Sequence, residues 1–233
     1  MKIAVINFSG NVGKSTVARH LLLPRIPGAD LIAIESLNAD EGQGQALRGR
    51  QFGELQEYLQ TVFSVVVDIG ASNVEELMGQ MQRYRGSHED FDAFVVPTVP
   101  AIKQQQDTIA TLIELSRLGV AASRLKLVFN MVETGIAVAQ AFDPLLAFLK
   151  QQPIARVNLD CKLGANEIYG RIKGTKTDLT TLATDPTDYK ALIAQAKGTS
   201  EKLALAQKLA TRRLAFGVVP ELDACFAALE FEP

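Results

Sequence analysis

Seven consecutive residues near the start of the chain carry its clearest chemistry: Gly10, Asn11, Val12, Gly13, Lys14, Ser15 and Thr16. They follow a predicted strand at positions 2–6, in which residues 3–6 are all apolar, and precede a predicted helix that begins near Lys14. A turn of this kind directs backbone N–H groups and a helix N-terminus at one point, which suits an anion. The Lys14 ammonium would reach the β- and γ-phosphates of a nucleotide, and the Ser15 hydroxyl would bind Mg²⁺. The segment predicts a phosphate-binding loop, and the alternative is an ordinary glycine turn.

A carboxylate that could complete such a site comes later in the chain. Asp68 ends the run VVVD, which reads as a buried strand. A carboxylate at the tip of such a strand can hold Mg²⁺ directly or through water, because that ion keeps several of its waters in proteins. We therefore predict Ser15 and Asp68 as the metal-side residues. The alternative for Asp68 is a turn or helix N-cap.

Strand-like apolar runs alternate with helix-like segments along most of the chain. The predicted strands are 2–6, 29–35, 62–69, 92–96, 125–130 and 154–157, and the predicted helices are 14–23, 53–60, 74–85, 102–118, 137–150, 201–215 and 220–229. This alternation predicts an α/β fold with a mostly parallel sheet covered by helices on both faces. Right-handed crossovers would bring the carboxyl ends of the strands, and the candidate site residues with them, to one edge. We expect a single domain over 1–233, more polar and helical from 164 onward.

The loop resembles the deviant P-loop of the ParA/MinD family, K-G-G-x-G-K-[ST], and differs from the usual pattern G-x-x-x-x-G-K-[ST], whose first glycine would fall at Phe8. Ser9 stands at the position of the family's signature lysine, and Asn11 stands at that of a second glycine. Asparagine tolerates a left-handed backbone better than most residues, so the loop can still form. The resemblance implies a P-loop NTPase fold that binds ATP with Mg²⁺, and Lys14 would also serve catalysis.

Three weaker motifs follow in the family's order. The segment 35–42 is similar to the acidic loop that orients the attacking water, so Asp40 is the predicted catalytic carboxylate and Glu35 the alternative. A solvated acidic turn is the other interpretation of this loop. The prolines at 97 and 100 resemble the P-x-x-P segment that lines the nucleotide site. Asn130 is similar to the asparagine that binds adenine, and a residue that caps a turn is an equal alternative.

Composition limits the classes of protein that the chain can form. It has 233 residues, 47% hydrophobic and 21% charged, with a net charge of −2, which is typical of a globular protein with no global attraction to nucleic acid. Cys161 and Cys225 are far apart and lack metal-ligand spacing, which favours free thiols in a reducing compartment. We therefore expect a cytoplasmic protein. The acidic C-terminus lacks a basic amphipathic helix, so we expect no direct membrane anchor. The basic residues after position 170 favour a solvated helix face over a nucleic-acid patch.

Within the family, the loop and the chain length look most like plasmid-borne proteins of the StbB kind, associated with plasmid stability and conjugative transfer. That likeness implies a slowly ATP-hydrolysing switch, an ATP-dependent homodimer, and a partner that is a DNA-binding adaptor protein or plasmid DNA. Two other classes remain open. One is a P-loop ligase or kinase of the dethiobiotin synthetase type, and the other is a nucleotide-binding interaction module that does not hydrolyse ATP, an option that Ser9 sustains.

Overall fold

Six strands form one sheet in the order β2-β3-β1-β4-β5-β6, and every neighbouring pair is parallel. This arrangement was obtained as a computed structural model, which describes residues 1–34, 49–175 and 177–231. The strands are β1 (Lys2–Val5), β2 (Asp30–Ile34), β3 (Val65–Ile69), β4 (Ala93–Thr98), β5 (Leu125–Val132) and β6 (Lys162–Gly164). The predicted α/β fold with a parallel sheet is confirmed.

Helices follow the strands as the alternation predicts. They are α1 (Lys14–Thr16), which continues as a π-helical stretch (Val17–Leu22) and a 3-10 turn (Leu23–Arg25), α2 (Gly49–Thr61), α3 (Val74–Arg83), α4 (Ile102–Arg117), α5 (Val138–Ala141), α6 (Asp143–Gln151), α7 (Ile168–Arg171), α8 (Leu179–Ala183), α9 (Tyr189–Gln195) and α10 (Thr199–Ala228). Among the described residues, no helix has the length and apolar character needed to cross a membrane.

The sheet is held together by side chains buried on both of its faces. All five residues of β3 and all six of β4 are buried, as expected for strands whose apolar runs are continuous rather than alternating. One face packs against α3, α4 and α6, where Phe129 of β5 lies with its ring centroid 4.9 Å from that of Phe142. Burying one such aromatic side chain contributes about 1.5–3 kcal/mol.

The position of β1 fixes where a ligand can bind. It lies in the middle of the sheet, because β2 and β3 are on one side of it and β4, β5 and β6 are on the other. The chain therefore changes direction across the sheet at β1, and parallel α/β sheets bind ligands at the carboxyl ends of the strands beside such a switch. The segment after β1 is the predicted phosphate-binding loop.

Two predicted elements were wrong. Residues 154–157 form no strand beyond one isolated bridge from Arg156 to Lys126, and β6 lies at Lys162–Gly164 instead. The predicted break between 215 and 220 is absent, because α10 runs through Pro220. Proline inside a helix costs about 3 kcal/mol. Val218 and Leu222, on either side of Pro220, are both buried, and their burial offsets that cost.

Residue contacts divide the chain into two compact units. The first, here called the sheet unit, comprises Met1–Ala165 together with Cys225–Pro233, and it contains all six strands. The second, the helical unit, comprises Asn166–Ala224. The single domain over residues 1–233 stays a prediction.

Candidate functional site

The loop between β1 and α1 has the backbone of an anion-binding turn. Asn11 and Gly13 both have left-handed conformations, with φ of 59° and 87°. Asn11 therefore adopts the left-handed backbone that was predicted for it. The first helical bond runs from the Val17 N–H to the Gly13 carbonyl at 2.9 Å. Within the described residues, the backbone N–H groups from Gly10 to Lys14 have no acceptor, so they can bind an anion.

Position 13 needs glycine for two reasons: its left-handed backbone and the closeness of the Asn130 side chain. A Cβ at this position would lie 2.2 Å from the side-chain nitrogen of Asn130, closer than side chains can approach. That nitrogen donates to the Val12 carbonyl at 2.9 Å, and the Asn130 Oδ1 accepts from the Met131 N–H at 2.9 Å. Asn130 is buried and thus ties the end of β5 to the loop. The contact from Asn130 to Val12 was not predicted from the sequence. The predicted role of Asn130 in binding adenine stays a prediction.

Lys14 lies beneath the loop and is only 8% exposed. Its Nζ donates to the carbonyls of Asn7, at 3.1 Å, and Ser9, at 2.7 Å. Burial disfavours the charged ammonium and lowers the pKa of Lys14 from 10.5 to about 8, while the negative charge of Asp68 opposes that shift. The cation is held inside the loop with a pKa near physiological pH.

Asp68 lies close enough to Lys14 for their charges to interact. It is the penultimate residue of β3, it is 7% exposed, and it pairs in register with Val5 of β1 and Ala33 of β2. Helix α1 packs against β3, which brings the start of that helix toward the same end of the strand. Ser15 is exposed at the first turn of α1. The structure therefore places the loop, the cation and the buried carboxylate at one end of two adjacent strands.

The oxygen donors of this site fit Mg²⁺. Ser15 and Asp68 offer a hydroxyl and a carboxylate, the hard ligands that this ion prefers. The part of the chain that the structure describes contains no group of three or more His, Cys, Asp or Glu residues able to hold a metal. A site with one or two protein oxygens suits Mg²⁺, which usually completes its shell with water and phosphate. Asp40 and Glu35 lie outside the described residues, so their roles stay predictions.

A buried asparagine that the motif does not include supports the loop from below. The side-chain nitrogen of Asn7 donates to the Pro97 carbonyl at 2.9 Å and to the Thr108 Oγ1 at 2.8 Å. Its Oδ1 accepts from the Ser9 N–H at 2.8 Å, and the Phe8 N–H donates to Thr111 at 3.0 Å. These bonds connect the loop to β4 and α4. In the sequence, the feature that points to these bonds is the pair Thr108 and Thr111, which lie three residues apart and so on one side of the predicted helix 102–118.

Pro97 lies inside β4, one residue past the predicted end of the strand. Proline has no N–H to give to a sheet, so it is normally confined to strand edges. Val95 and Pro97 turn their backbone groups toward β1, where the Val95 carbonyl accepts from the Ile6 N–H at 3.0 Å. Since β1 ends at Val5, no ladder bond is lost at Pro97. Its carbonyl is instead available to Asn7.

The two loop glycines are expected to respond differently to alanine. A Cβ at Gly10 meets no atom within 4 Å, so Gly10→Ala should change the free energy of unfolding by less than about 0.5 kcal/mol. Gly13→Ala adds both a left-handed alanine and a clash with Asn130, and should cost about 1–3 kcal/mol or distort the loop. Urea unfolding of the two variants measures the difference. Equal stabilities would contradict the observed loop geometry.

Among solved structures, the fold is similar to that of McdA from Cyanothece. The chain is 13% identical to apo McdA, with a TM-score of 0.53, and the match covers 98% of this chain and 97% of McdA. A second match, 14% identical with a TM-score of 0.47, is to an ATP complex of a McdA variant and covers 90% of this chain and 96% of that one. No protein-family model matches the chain. No curated protein sequence matches it either. At 13% identity, the likeness to apo McdA shows a shared α/β fold.

Proposed function

We propose that this protein is a ParA-like switch that binds ATP with Mg²⁺ and hydrolyses it slowly. One observation carries the proposal: backbone N–H groups without an acceptor among the described residues, the buried Lys14 cation and the Asp68 carboxylate meet at the carboxyl ends of β1 and β3. The fold shared with apo McdA supports it. The loop motif that resembles the ParA/MinD family supports it independently, since the motif is a property of sequence.

Each residue of the site has a distinct part in binding. The N–H groups from Gly10 to Lys14 would bind phosphate oxygens, and the open space beside Gly10 leaves room for them. Lys14 would contribute positive charge, with Ser15 and Asp68 holding Mg²⁺. Bound there, the ion would neutralise charge on the phosphates. Asn7 and Asn130 would keep the loop in its binding conformation, because each bonds a backbone group within it.

Slow hydrolysis is proposed because position 9 cannot supply a mobile cation. Ser9 is neutral, it is 5% exposed, and its carbonyl accepts from Lys14. In the ParA/MinD family the lysine at this position reaches the phosphates of a partner subunit, and added positive charge stabilises the transition state of phosphoryl transfer. Without it, Asp40 would orient the attacking water with less electrostatic help. A protein that stays long in one nucleotide state is suited to switching.

The partner in this proposal is a DNA-binding adaptor protein or plasmid DNA, and the nucleotide-bound form is a homodimer. Both follow from the resemblance to plasmid-borne proteins of the StbB kind, so the biological process is plasmid partition, stability or conjugative transfer. Binding of ATP would select the partner-competent state, and hydrolysis would release it. Sedimentation with and without ATP tests the dimer directly.

The function is tested by separating binding from hydrolysis. Asp40→Ala should leave ATP affinity within about twofold of the original and abolish phosphate release, because a water-orienting group acts after binding. Asp68→Asn should remove the Mg²⁺ dependence of binding and shift the pKa of Lys14 further down, since the opposing negative charge is lost. Fluorescent ATP binding and phosphate release measure both effects.

Asp160→Asn is the matched control for these variants, because Asp160 is exposed and belongs to no part of the site. Unchanged phosphate release in Asp40→Ala would remove Asp40 from the mechanism. ATP binding with no turnover in the unaltered protein would favour the interaction module over the ATPase.

A further inference from the structure

The helical unit contains a cavity of about 680 Å³ between residues 186–190, which lead into α9, and the middle of α10. Its lining combines large apolar side chains with cationic ones: Pro186, Tyr189, Leu209, Phe216, Lys190 and Arg213. This volume falls within the range of ligand pockets. The cavity is formed entirely by residues of the helical unit, and none of them belongs to the candidate nucleotide site.

One wall of the cavity is held in place by hydrogen bonds. Asp185 accepts from the backbone N–H of Thr187 at 2.9 Å, from its hydroxyl at 2.6 Å and from the Tyr189 hydroxyl at 2.6 Å. These bonds, those of Thr187 first, lower the pKa of Asp185 to about 2, so the carboxylate stays charged. Arg212 of α10 donates to the Thr187 carbonyl at 2.7 Å. A wall fixed in advance lowers the entropic cost of binding a partner.

The opposite side of the cavity presents apolar surface to solvent. Phe216 is 72% exposed, although it lies in the middle of a long helix. Leu209, two turns earlier on the same helix, also lines the cavity. Exposed aromatic surface beside a preformed wall is characteristic of interaction sites, because burying it releases water from a large apolar area.

The charges that line the cavity indicate which kind of ligand it can bind. Lys190, Arg212 and Arg213 outnumber the one lining carboxylate, Asp188, so the cavity favours a negatively charged partner. Asp185, which the Tyr189 hydroxyl bonds, adds a negative charge beside the cavity and so limits the number of anionic groups that can bind there. The apolar lining also suits side chains better than a phosphodiester backbone. The chemistry therefore matches a protein segment more closely than a nucleic acid.

We infer that this cavity is a docking site for a short protein segment in which a bulky apolar side chain is flanked by acidic residues. The apolar side chain lies against Phe216, Leu209 and Tyr189, and the acidic residues face Lys190 and Arg213. The site acts as an anchor for a partner and goes beyond the proposed nucleotide switch. Its occupancy does not require an intact phosphate loop.

Two displayed peptide libraries test the site on the full-length protein. In one, each peptide combines Asp or Glu with Phe, Leu or Trp, and in the other Lys or Arg replaces the acidic residues. The acidic library should be enriched, and Phe216→Ala should weaken the selected peptides by about tenfold, as loss of an aromatic anchor does. Arg213→Glu leaves two lining cations against two carboxylates, so it should abolish the preference for the acidic library.

Leu203→Ala is the matched control, because Leu203 is a 58% exposed leucine of α10 that does not line the cavity. Phe216 and Arg213 are exposed, so their replacement should leave the circular dichroism spectrum unchanged. Equal enrichment of both libraries, or full binding by Phe216→Ala, would overturn the assignment. So would double-stranded DNA that binds in preference to the peptides and is lost in Phe216→Ala.

Discussion

Replacing Lys14 with glutamine is expected to weaken ATP binding by about a hundredfold or more. The ammonium has three donors, of which two bond carbonyls of the loop; a charge-assisted hydrogen bond from the third to phosphate contributes roughly 1.5–3 kcal/mol, and loss of the positive charge itself weakens binding further. Glutamine still offers an amide donor to the Asn7 and Ser9 carbonyls, which Lys14 binds at 3.1 and 2.7 Å, so the loop keeps part of its support. Isothermal titration with ATP and Mg²⁺ measures the loss. Equal affinity in this variant would contradict the phosphate-loop assignment.

The same lysine makes binding depend on pH. Because its pKa is lowered to about 8, the fraction of protein with a charged Lys14 falls steeply between pH 7.5 and 9. If only the charged form binds, ATP affinity should decrease on the order of eightfold over that interval. Stability changes in the opposite direction: between about pH 8 and 10.5 the folded protein has released a proton that the unfolded chain retains, so this group favours folding as pH rises. Lys14→Gln should abolish both slopes.

Replacing Asn130 with alanine should weaken phosphate binding in general rather than adenine recognition. The change removes the donor to the Val12 carbonyl and leaves that carbonyl unpaired, which costs about 1–3 kcal/mol in a buried site. If the loop relaxes in consequence, affinities for ATP, GTP and inorganic tripolyphosphate should all fall by a similar factor, roughly tenfold. Competition against one fluorescent nucleotide measures all three.

Comparing ATP, GTP and tripolyphosphate distinguishes a role of Asn130 in positioning the loop from a role in binding adenine. If it bound adenine alone, ATP affinity would fall while tripolyphosphate affinity stayed constant. Asn130→Asp provides a second comparison, because it keeps the acceptor for the Met131 N–H and replaces the donor to Val12 with a negatively charged oxygen that repels that carbonyl. It should therefore weaken all three ligands at least as much as Asn130→Ala. A normal affinity for tripolyphosphate in both variants would show that the contact to Val12 does not position the loop.

Much of the sheet was predictable because its central strands have continuous apolar runs. The run at 65–69 is buried on both faces, and a short stretch so rich in valine and isoleucine favours a strand. The turn between β1 and α1 was predictable for a different reason, since glycine and asparagine are the residues that tolerate the left-handed angles seen at Gly13 and Asn11.

The parts that sequence did not predict depend on contacts between distant segments. Strand β6 has only three residues, and Leu163 is the one among them with a large buried apolar side chain. Three residues are too few to show the alternation of apolar and polar side chains that predicts a strand. Asn7 and Asn130 are polar residues at strand ends, where a turn is the simplest interpretation. Their partners lie 90 to 118 residues away, and only the folded sheet brings them together.

The central place of β1 has a consequence for synthesis of the protein. Strand β1 pairs with strands near residues 67 and 94, which are both made after it, so its hydrogen-bonding groups wait until both have been made. At about 5–20 residues per second, translation to residue 94 leaves β1 without its neighbours for roughly five to twenty seconds. The contact from Asn130 to Val12 must form later still. The turn between β1 and α1 therefore takes its final form only after residue 130 has been made, and a product truncated before that residue would lack the contact to Val12.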